Sequence, residues 1–171
     1  VIDKSFKDRL LLTHCSTRQH VTEVIMATVA SILKKKGSQV YSVSPETSII
    51  DCLKLMSEKK IGSVLVMQDE KVVGIFSERD YAWRGILKGN HEHTPVQRVM
   101  TEKVYYVSPE QSTDTCMAQM SDKHIRHLPV LDKGKVVGVI SIGDVVTSML
   151  QDKETLIKGL ENFILSNEIK L

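Results

Sequence analysis

An internal duplication constrains the fold of this chain more than any other feature of its sequence. Residues 40–81 align with residues 104–145 at a constant offset of 64 without a gap, and 19 of the 42 aligned positions are identical. A chance similarity would not keep one register across segments that differ in hydrophobic pattern, so the two segments are copies of one unit. The sequence therefore predicts two repeats of a single fold.

Each copy is predicted to contain a strand, a helix, a hairpin of two strands and a second helix. Apolar residues recur at helical spacing in the middle of each copy, and short turn-like segments separate the two later strands. The first strand, the second strand and the last helix are predicted at residues 39–43, 63–67 and 78–87, and again at 103–107, 127–131 and 142–150. So few strands cannot bury both of their faces within one copy. The predicted fold class is α+β (α/β), with two βαββα repeats packed as an intramolecular pseudo-dimer.

The duplication divides the chain into segments. These are an N-terminal extension (1–25), the first repeat with a leading helix (26–87), a polar linker (88–98), the second repeat (99–150) and a C-terminal amphipathic helix (151–171). The N-terminal extension is expected to be non-native or to come from an upstream start. The alternative, a genuine helix or targeting arm, rests on the basic residues that this extension carries.

Charge and hydrophobicity exclude several classes of function. The chain has 171 residues and a formal net charge of +2, which is too small for a surface that binds nucleic acid. Three consecutive lysines, residues 34–36, are predicted to complement the dipole at the end of the leading helix. No apolar run approaches the ~18 residues of a membrane span. Three cysteines form neither a CxxC motif nor an even framework, which favours a reducing compartment. We expect a cytoplasmic protein with no membrane or nucleic-acid partner.

Two short motifs at equivalent places in the repeats resemble those of a known family. Gly74-Ile-Phe-Ser-Glu-Arg-Asp80 and Gly138-Val-Ile-Ser-Ile-Gly-Asp144 are similar to the glycine–hydrophobic–x–Ser/Thr–x–x–Asp signature of CBS domains, whose tandem pairs are called Bateman modules. Arg126-His127-Leu128-Pro129-Val130 and Val99-Met100-Thr101 are also typical of that family. The resemblance covers about residues 26–150 and is to the stand-alone bacterial two-copy type. It implies binding of AMP, ATP, NAD or S-adenosyl compounds in clefts between the copies, often within a homodimer, and no catalysis.

The residues of the repeated motif suit a nucleotide. Ser77 and Ser141 each end a strand where a helix begins, so unpaired backbone N–H groups and a hydroxyl can meet a phosphate. Asp80 and Asp144 can accept hydrogen bonds from both ribose hydroxyls, because an ionised carboxylate has two acceptor oxygens. The apolar walls for the adenine are predicted to come from Val40, Ile61, Val64 and Ile75, or from Tyr105, Ile125, Pro129 and Val139.

A purely structural explanation competes with this site. Ser-x-x-Asp at a helix start is also a capping box, and a single occurrence would favour the cap. The motif occurs twice, however, each time after the same Val-Val-Gly sequence. Capping does not require that glycine, whereas close approach of a ligand to the backbone does. The recurrence therefore favours a binding role.

The two predicted sites differ in charge. Arg79 in the first copy is replaced by Gly143 in the second, whereas Gly62 in the first copy is replaced by Arg126, which precedes His127. The predicted ligand-binding residues therefore include Gly62, Arg79, Arg126 and His127. The difference in charge also predicts that each chain binds one nucleotide rather than two. The alternatives are a solvated helix face for Arg79 and a structural role for His127.

Two residues near the first motif receive simpler interpretations. Arg84 is predicted to lie on a solvated helix face, and Trp83 is predicted to pack in a contact rather than to line a pocket.

These observations predict a sensor of an adenine nucleotide. AMP is the first candidate, with NAD or ATP as alternatives, and the module would regulate an unidentified protein as a homodimer. A second hypothesis is an adaptor that binds no ligand and mediates protein association. An enzyme is not expected, because the sequence has no P-loop, no nucleophile–base pair and no metal-ligand cluster.

Overall fold

The computed structural model describes residues 27–168. Two similar units follow each other along the chain, as the duplication predicts. The elements of the first unit are α1 (Val29–Lys36), β1 (Ser42–Val43), α2 (Ile49–Lys59), β2 (Ser63–Gln68), β3 (Lys71–Ser77) and α3 (Glu78–Asp80). Those of the second are α4 (Thr113–Asp122), β4 (His127–Asp132), β5 (Lys135–Ser141) and α5 (Ile142–Glu168).

The two hairpins have the same register. Ser63 is opposite Ser77 in the β2–β3 pair, and His127 is opposite Ser141 in the β4–β5 pair. Each hairpin also has one register shift at an equivalent place, after Val66 in the first copy and after Val130 in the second. The predicted mixed α+β fold and the repeated hairpin are confirmed.

The first strand of each copy is shorter than predicted. In the first copy β1 pairs in parallel with β2, and Leu65 N donates to Tyr41 O at 3.1 Å. The residues equivalent to this pair in the second copy are Pro129 and Tyr105, and proline has no N–H to donate. The predicted strand at residues 103–107 is therefore wrong, and a single parallel bridge from Val107 remains.

The core of each copy is completed by the segment that precedes the other copy. Val29 and Ile32 of α1 are buried among the apolar residues of the second copy. Residues 96–100 lie before the second copy, yet Val96 and Val99 are fully buried among those of the first. The two copies therefore exchange segments, and neither core is complete without the other.

The segment at 88–98 is folded onto the first copy. It was predicted as a polar linker, but Val96–Arg98 forms a 3₁₀ turn and Val96 N donates to Thr47 O at 2.8 Å. Ile49 N, at the start of α2, donates to Thr94 O at 3.0 Å. These backbone hydrogen bonds hold the polar linker on the surface of the first copy.

The predicted helix at 78–87 is broken into three pieces. The short α3 is followed by a π-helical turn, Tyr81–Gly85, and a 3₁₀ turn, Ile86–Lys88. Asn90 donates its side-chain amide to Arg84 O at 2.6 Å and its backbone N–H to Gly85 O at 3.0 Å. The π-helical turn begins upstream of these carbonyls, where Ile86 N–H donates to Tyr81 O and Ala82 O. The last four carbonyls of a helix lack intrahelical partners, so Asn90 caps the end of the segment.

The C-terminal part of the chain is one helix and not two. A boundary was predicted between residues 150 and 151, whereas α5 runs without interruption from Ile142–Glu168. Neither proline nor a C-terminal glycine cap occurs near residue 150, so nothing ends the helix there. Although α5 has 27 residues, no helix in residues 27–168 is both long and apolar enough to cross a membrane.

Gly138 offers a test of the exchanged packing. A Cβ atom at this position would lie 2.6 Å from Leu33 Cδ2, where α1 crosses β5. We expect Gly138→Ala to destabilise the protein by about 1–3 kcal/mol, because the leucine must leave its rotamer or shift α1. Urea unfolding followed by circular dichroism measures this change. Gly159→Ala is the matched control, since its Cβ would meet nothing within 4 Å, and a comparable loss there would contradict the packing argument.

Candidate functional site

A cleft of about 480 Å³ lies between the two copies. One wall comes from residues 75–84 of the first copy. The other walls come from the second copy, from Thr101 to Tyr105 at its start and from residues 123–127, where β4 begins. The cleft is therefore built from both copies. Apolar side chains of Ile75, Val104, Tyr105 and Ile125 line part of it, and polar and cationic side chains line the rest.

Ser77 and Asp80 form a rigid hydrogen-bonded corner in this cleft. Asp80 Oδ2 accepts bonds from Ser77 N at 3.0 Å and Ser77 Oγ at 2.6 Å, and Ser77 Oγ in turn caps Asp80 N at 3.4 Å. Asp80 Oδ1 accepts a bond from Thr101 Oγ1 at 2.9 Å. The capping box predicted as the alternative is thus present. Each carboxylate oxygen has two lone pairs, so Oδ1 retains the capacity for a further bond.

The cleft carries a large excess of positive charge. Five of its residues are lysine or arginine, whereas Asp80 is its only carboxylate. The five are Arg79, Arg84, Lys103, Lys123 and Arg126. The local excess of four charges exceeds the +2 of the whole chain. A concave surface with one sign of charge concentrates anions of the opposite sign.

Arg79 and Arg84 are held in place by backbone carbonyls. Arg79 Nη1 donates to His124 O at 2.6 Å, and its guanidinium lies 5.3 Å from the ring centroid of Trp83. Arg84 Nη1 donates to Met100 O at 2.7 Å and lies 3.8 Å from Asp80 Oδ1. Arg79 therefore connects the first copy to the second, and Arg84 is exposed, as predicted, although its guanidinium is also bound to Met100 O.

Two lysines converge on one aromatic ring. The ammonium groups of Lys103 and Lys123 lie 5.5 and 5.9 Å from the ring centroid of Tyr105. Neither lysine has a carboxylate partner among the described residues, because no ion pair in that part of the chain includes them. Cations held over a ring face without a counter-ion are well placed to attract an anion.

His127 is uncharged at neutral pH. Its burial, followed by the charges of Arg126 and Lys36, lowers the pKa of the imidazole from 6.5 to about 4. A neutral imidazole has one N–H and can donate one hydrogen bond to a phosphate, without adding charge. A Cβ at Gly62 would lie 3.3 Å from the His127 ring, so these two predicted residues face each other across the copies.

The equivalent corner in the second copy is closed by a lysine. Asp144 Oδ2 accepts bonds from Ser141 N at 2.7 Å and Ser141 Oγ at 2.8 Å. It also pairs with Lys36 Nζ at 2.6 Å. Burial raises the pKa of Asp144, but the bonds from Lys36 and Ser141 outweigh it and leave the pKa below its usual value. Lys36 therefore does more than complement the dipole of α1, because it joins that helix to the second copy.

The structure divides the predicted site residues between the two corners and the core. Eight of the sixteen line the cleft: Ile75, Ser77, Arg79, Asp80, Tyr105, Ile125, Arg126 and His127. At the offset of 64, three predicted residues are equivalent to residues of the cleft: Val40, Ile61 and Gly62. Three others belong to the second corner: Val139, Ser141 and Asp144. Val64 is fully buried in the first core and Pro129 lies buried in β4, so neither lines the cleft.

The cleft combines the predicted apolar residues differently. Each wall was predicted within one copy, whereas Ile75 of the first copy meets Tyr105 and Ile125 from the other. The exchange of segments, which the sequence does not reveal, causes this regrouping. Thr101, Lys103, Val104, Lys123 and His124 were missed, as was the place of Trp83 in the cleft wall. One signal could have indicated Lys123, because the aligned residue of the first copy, Lys59, is also a lysine.

The two cysteines in the described part of the chain, Cys52 and Cys116, are fully buried, and burial raises the pKa of Cys52 to about 11. No three His, Cys, Asp or Glu side chains within residues 27–168 lie close enough to hold a metal ion.

The titration of His127 tests the electrostatics of the cleft. The unfolded chain binds the imidazole proton near pH 6.5 and the folded protein only near pH 4. Stability should therefore fall as the pH drops through this window and level off below it. An NMR titration of the imidazole measures the pKa directly. Arg126→Gln should raise it, whereas Lys71→Gln, on the exposed end of β3, should leave it unchanged; equal responses would contradict the assignment.

Comparison with known proteins gives a consistent family. The family model of the CBS domain matches residues 29–82 and 96–151. The mitochondrial CBS domain-containing protein CBSX3 of Arabidopsis thaliana is 30% identical over 148 residues, which cover 80% of this chain and 71% of that protein.

Solved structures agree with this match. A protein with CBS domains from Burkholderia ambifaria MC40-6 is 48% identical, with a TM-score of 0.72, over 74% of this chain and 96% of that one. The CBS domain pair of protein MJ0100, whose structure contains 5′-methylthioadenosine and S-adenosyl-L-methionine, covers 75% of this chain and 98% of that one. Its TM-score is 0.64 at 22% identity, so that likeness shows the fold alone. The chain belongs to the CBS-domain family, and its two copies form the tandem pair known as a Bateman module.

Proposed function

We propose that the cleft binds an adenine nucleotide and that the chain is a regulatory module without catalytic activity. The observation that carries this proposal is the combination, in one cleft, of a fixed carboxylate, an apolar wall and five cationic side chains. These are the three kinds of group that a ribose, an adenine and a phosphate require. AMP remains the first candidate, with ATP and NAD as alternatives.

Each part of the nucleotide has a suitable partner. Ile75, Val104 and Ile125 offer apolar contact for the base. Asp80 Oδ1 can accept a ribose hydroxyl in addition to its bond from Thr101. The helix that starts at Glu78 has only three residues before its π-helical turn, so the phosphate would depend on cationic side chains and little on a helix dipole.

The second corner is proposed to remain without a nucleotide. Lys36 already occupies the carboxylate of Asp144, and Gly143 stands where the first copy has Arg79. A ribose would have to displace this ion pair with no arginine at that position to compensate. One nucleotide per chain is therefore the proposed stoichiometry.

Regulation requires that the ligand distinguish two arrangements of the copies. The walls of the cleft come from both copies, and Arg79 crosses between them. An anion bound there would contact both copies at once and would favour the arrangement in which their cations converge. The adenosine compounds in the MJ0100 structure support the ligand class through the shared fold. Homodimer formation, the regulated protein and a cytoplasmic location remain predictions.

One observation favours an adaptor as the second candidate. Both capping boxes are complete, and Asp80 already accepts three hydrogen bonds. A module that only held two proteins together would need these caps for stability and would need no ligand.

Substitution of the two aspartates separates these functions. We expect isothermal titration calorimetry to show one AMP per chain, with affinity at least about tenfold lower in Asp80→Ala, because hydrogen bonds to charged groups contribute about 1.5–3 kcal/mol. Asp144→Ala removes the same type of cap and is the matched control, with little change expected. Affinity lost equally in both variants would indicate a folding effect. The absence of binding by AMP, ATP, NAD and S-adenosylmethionine would favour the adaptor, and conversion of the nucleotide would indicate an enzyme.

The contribution of the cations can be measured independently. AMP should bind at least about tenfold more tightly than adenosine, because charge-assisted hydrogen bonds are the stronger kind. Lys123→Gln should weaken the binding of AMP about three- to tenfold and leave that of adenosine unchanged. Lys71→Gln is the control, since this lysine is exposed on the hairpin outside the cleft. Trp83, the only tryptophan in the chain, provides a fluorescence signal from the cleft wall. Equal affinities for AMP and adenosine would exclude a phosphate site here.

A further inference from the structure

The last part of α5 extends beyond the folded body of the protein. Asp152 accepts a hydrogen bond from Ala27 N at 3.2 Å, and this is the last bond from α5 to another described element. Every residue from Lys153 to Ser166 is exposed. Isolated helices shorter than about 12–15 residues are marginal in water, and most helices depend on packing of an apolar face. An extension of this length needs a surface to pack against.

An apolar face runs along this extension. Leu156, Ile157, Leu160, Phe163 and Ile164 recur at intervals of one, three and four residues and so lie on one side of the helix, with Leu150 at its start. We call these six residues the C-terminal stripe. Their side chains are between 52% and 63% exposed. A contiguous apolar face of this size on a soluble protein indicates an interaction surface.

The C-terminal stripe lies almost entirely outside the CBS domains. The family model ends at residue 151. The structure from Burkholderia ambifaria is matched over 96% of its own length yet covers only 74% of this chain. The stripe is therefore not needed to complete the fold of the pair, and its role is independent of the cleft.

The charges around the C-terminal stripe favour another protein over a lipid surface. Residues 153–166 contain two lysines and two glutamates, so their net charge is zero. Interfacial helices that bind anionic membranes carry an excess of lysine or arginine on the polar face. A neutral stripe does not attract such a membrane, and two copies of it do not repel each other.

The geometry points to a second copy of this chain as the occupant. We propose that two chains associate through their C-terminal stripes, with the helices antiparallel about a two-fold axis near Leu160. This arrangement places Leu156 opposite Ile164, Ile157 opposite Phe163 and Leu160 opposite its own equivalent, so one patch complements itself. Each of these five side chains offers on the order of 100 Å², and the pair buries on the order of 1,000 Å², the lower limit for a specific interface.

The area defines the strength expected of this association. An interface near the lower limit forms a dimer that depends on concentration in the micromolar range. Sedimentation velocity of the full chain, over a dilution series without nucleotide, should show twice the monomer mass at high concentration. Leu160→Glu should shift the equilibrium to the monomer by at least about tenfold, because it places a charge in the middle of the stripe.

Leu165 provides a matched control. It is 58% exposed on the same helix and lies about 140° around the helix from Leu160, outside the centre of the C-terminal stripe, so Leu165→Glu should leave the dimer intact. Circular dichroism of both variants checks that the CBS pair remains folded. A wild-type chain that is monomeric throughout, or a dimer that persists in Leu160→Glu, would overturn the proposal. Co-sedimentation of a monomeric wild-type chain with phosphatidylserine vesicles would assign the stripe to a membrane. Because no ligand is present, failure here leaves the proposed nucleotide site untouched.

Discussion

The exchange of packing segments between the two copies is the constraint on which the rest of the molecule depends. Leu33 of α1 fills the space left by Gly138 on the second hairpin, and Met100 takes the equivalent place beside Gly74 on the first. A single copy would expose the apolar face that the other copy's segment now covers. The same segment that completes the first core continues into Thr101, Lys103 and Tyr105 of the cleft. The core of one copy and the site between the copies are thus formed by one run of chain.

The parts of this structure that the sequence predicted are those that repeat. The hairpins and the Ser-x-x-Asp corners follow from a match at one offset, because equal sequences form equal local structure. Arg79 and Arg126, by contrast, were predicted from positions at which the copies differ. The partner of each element was not predictable in this way. Repetition shows that α1 and the segment at 96–100 occupy equivalent places along the chain, but it does not show that each packs on the other copy. The predicted apolar residues were therefore assigned to one copy each, whereas the cleft takes them from both, and Thr101 was missed.

Other discrepancies come from single bonds that have no signature in a repeat. The helix after Ser77 changes to a π-helical turn at Tyr81, and Asn90 caps its end by donating to the carbonyls of Arg84 and Gly85. The pKa of His127 is lowered by burial between the copies, and burial of that kind depends on tertiary packing. Local propensity sets which elements form, whereas contacts distant in sequence decide where they end and how their side chains titrate.

Pro129 has a mechanical consequence for the cleft. In the first copy the backbone of Tyr41 is fastened to β2 by the N–H of Leu65, but the equivalent fastening at Tyr105 is missing because proline has no hydrogen to give. The wall that carries Tyr105 is therefore attached at two separate points, by the bridge of Val107 to β4 and by the two hydrogen bonds between Thr101 and Ile75. In the first copy the parallel pairing continues one residue further, to Ser42. A single proline thus gives two walls of common origin different backbone support.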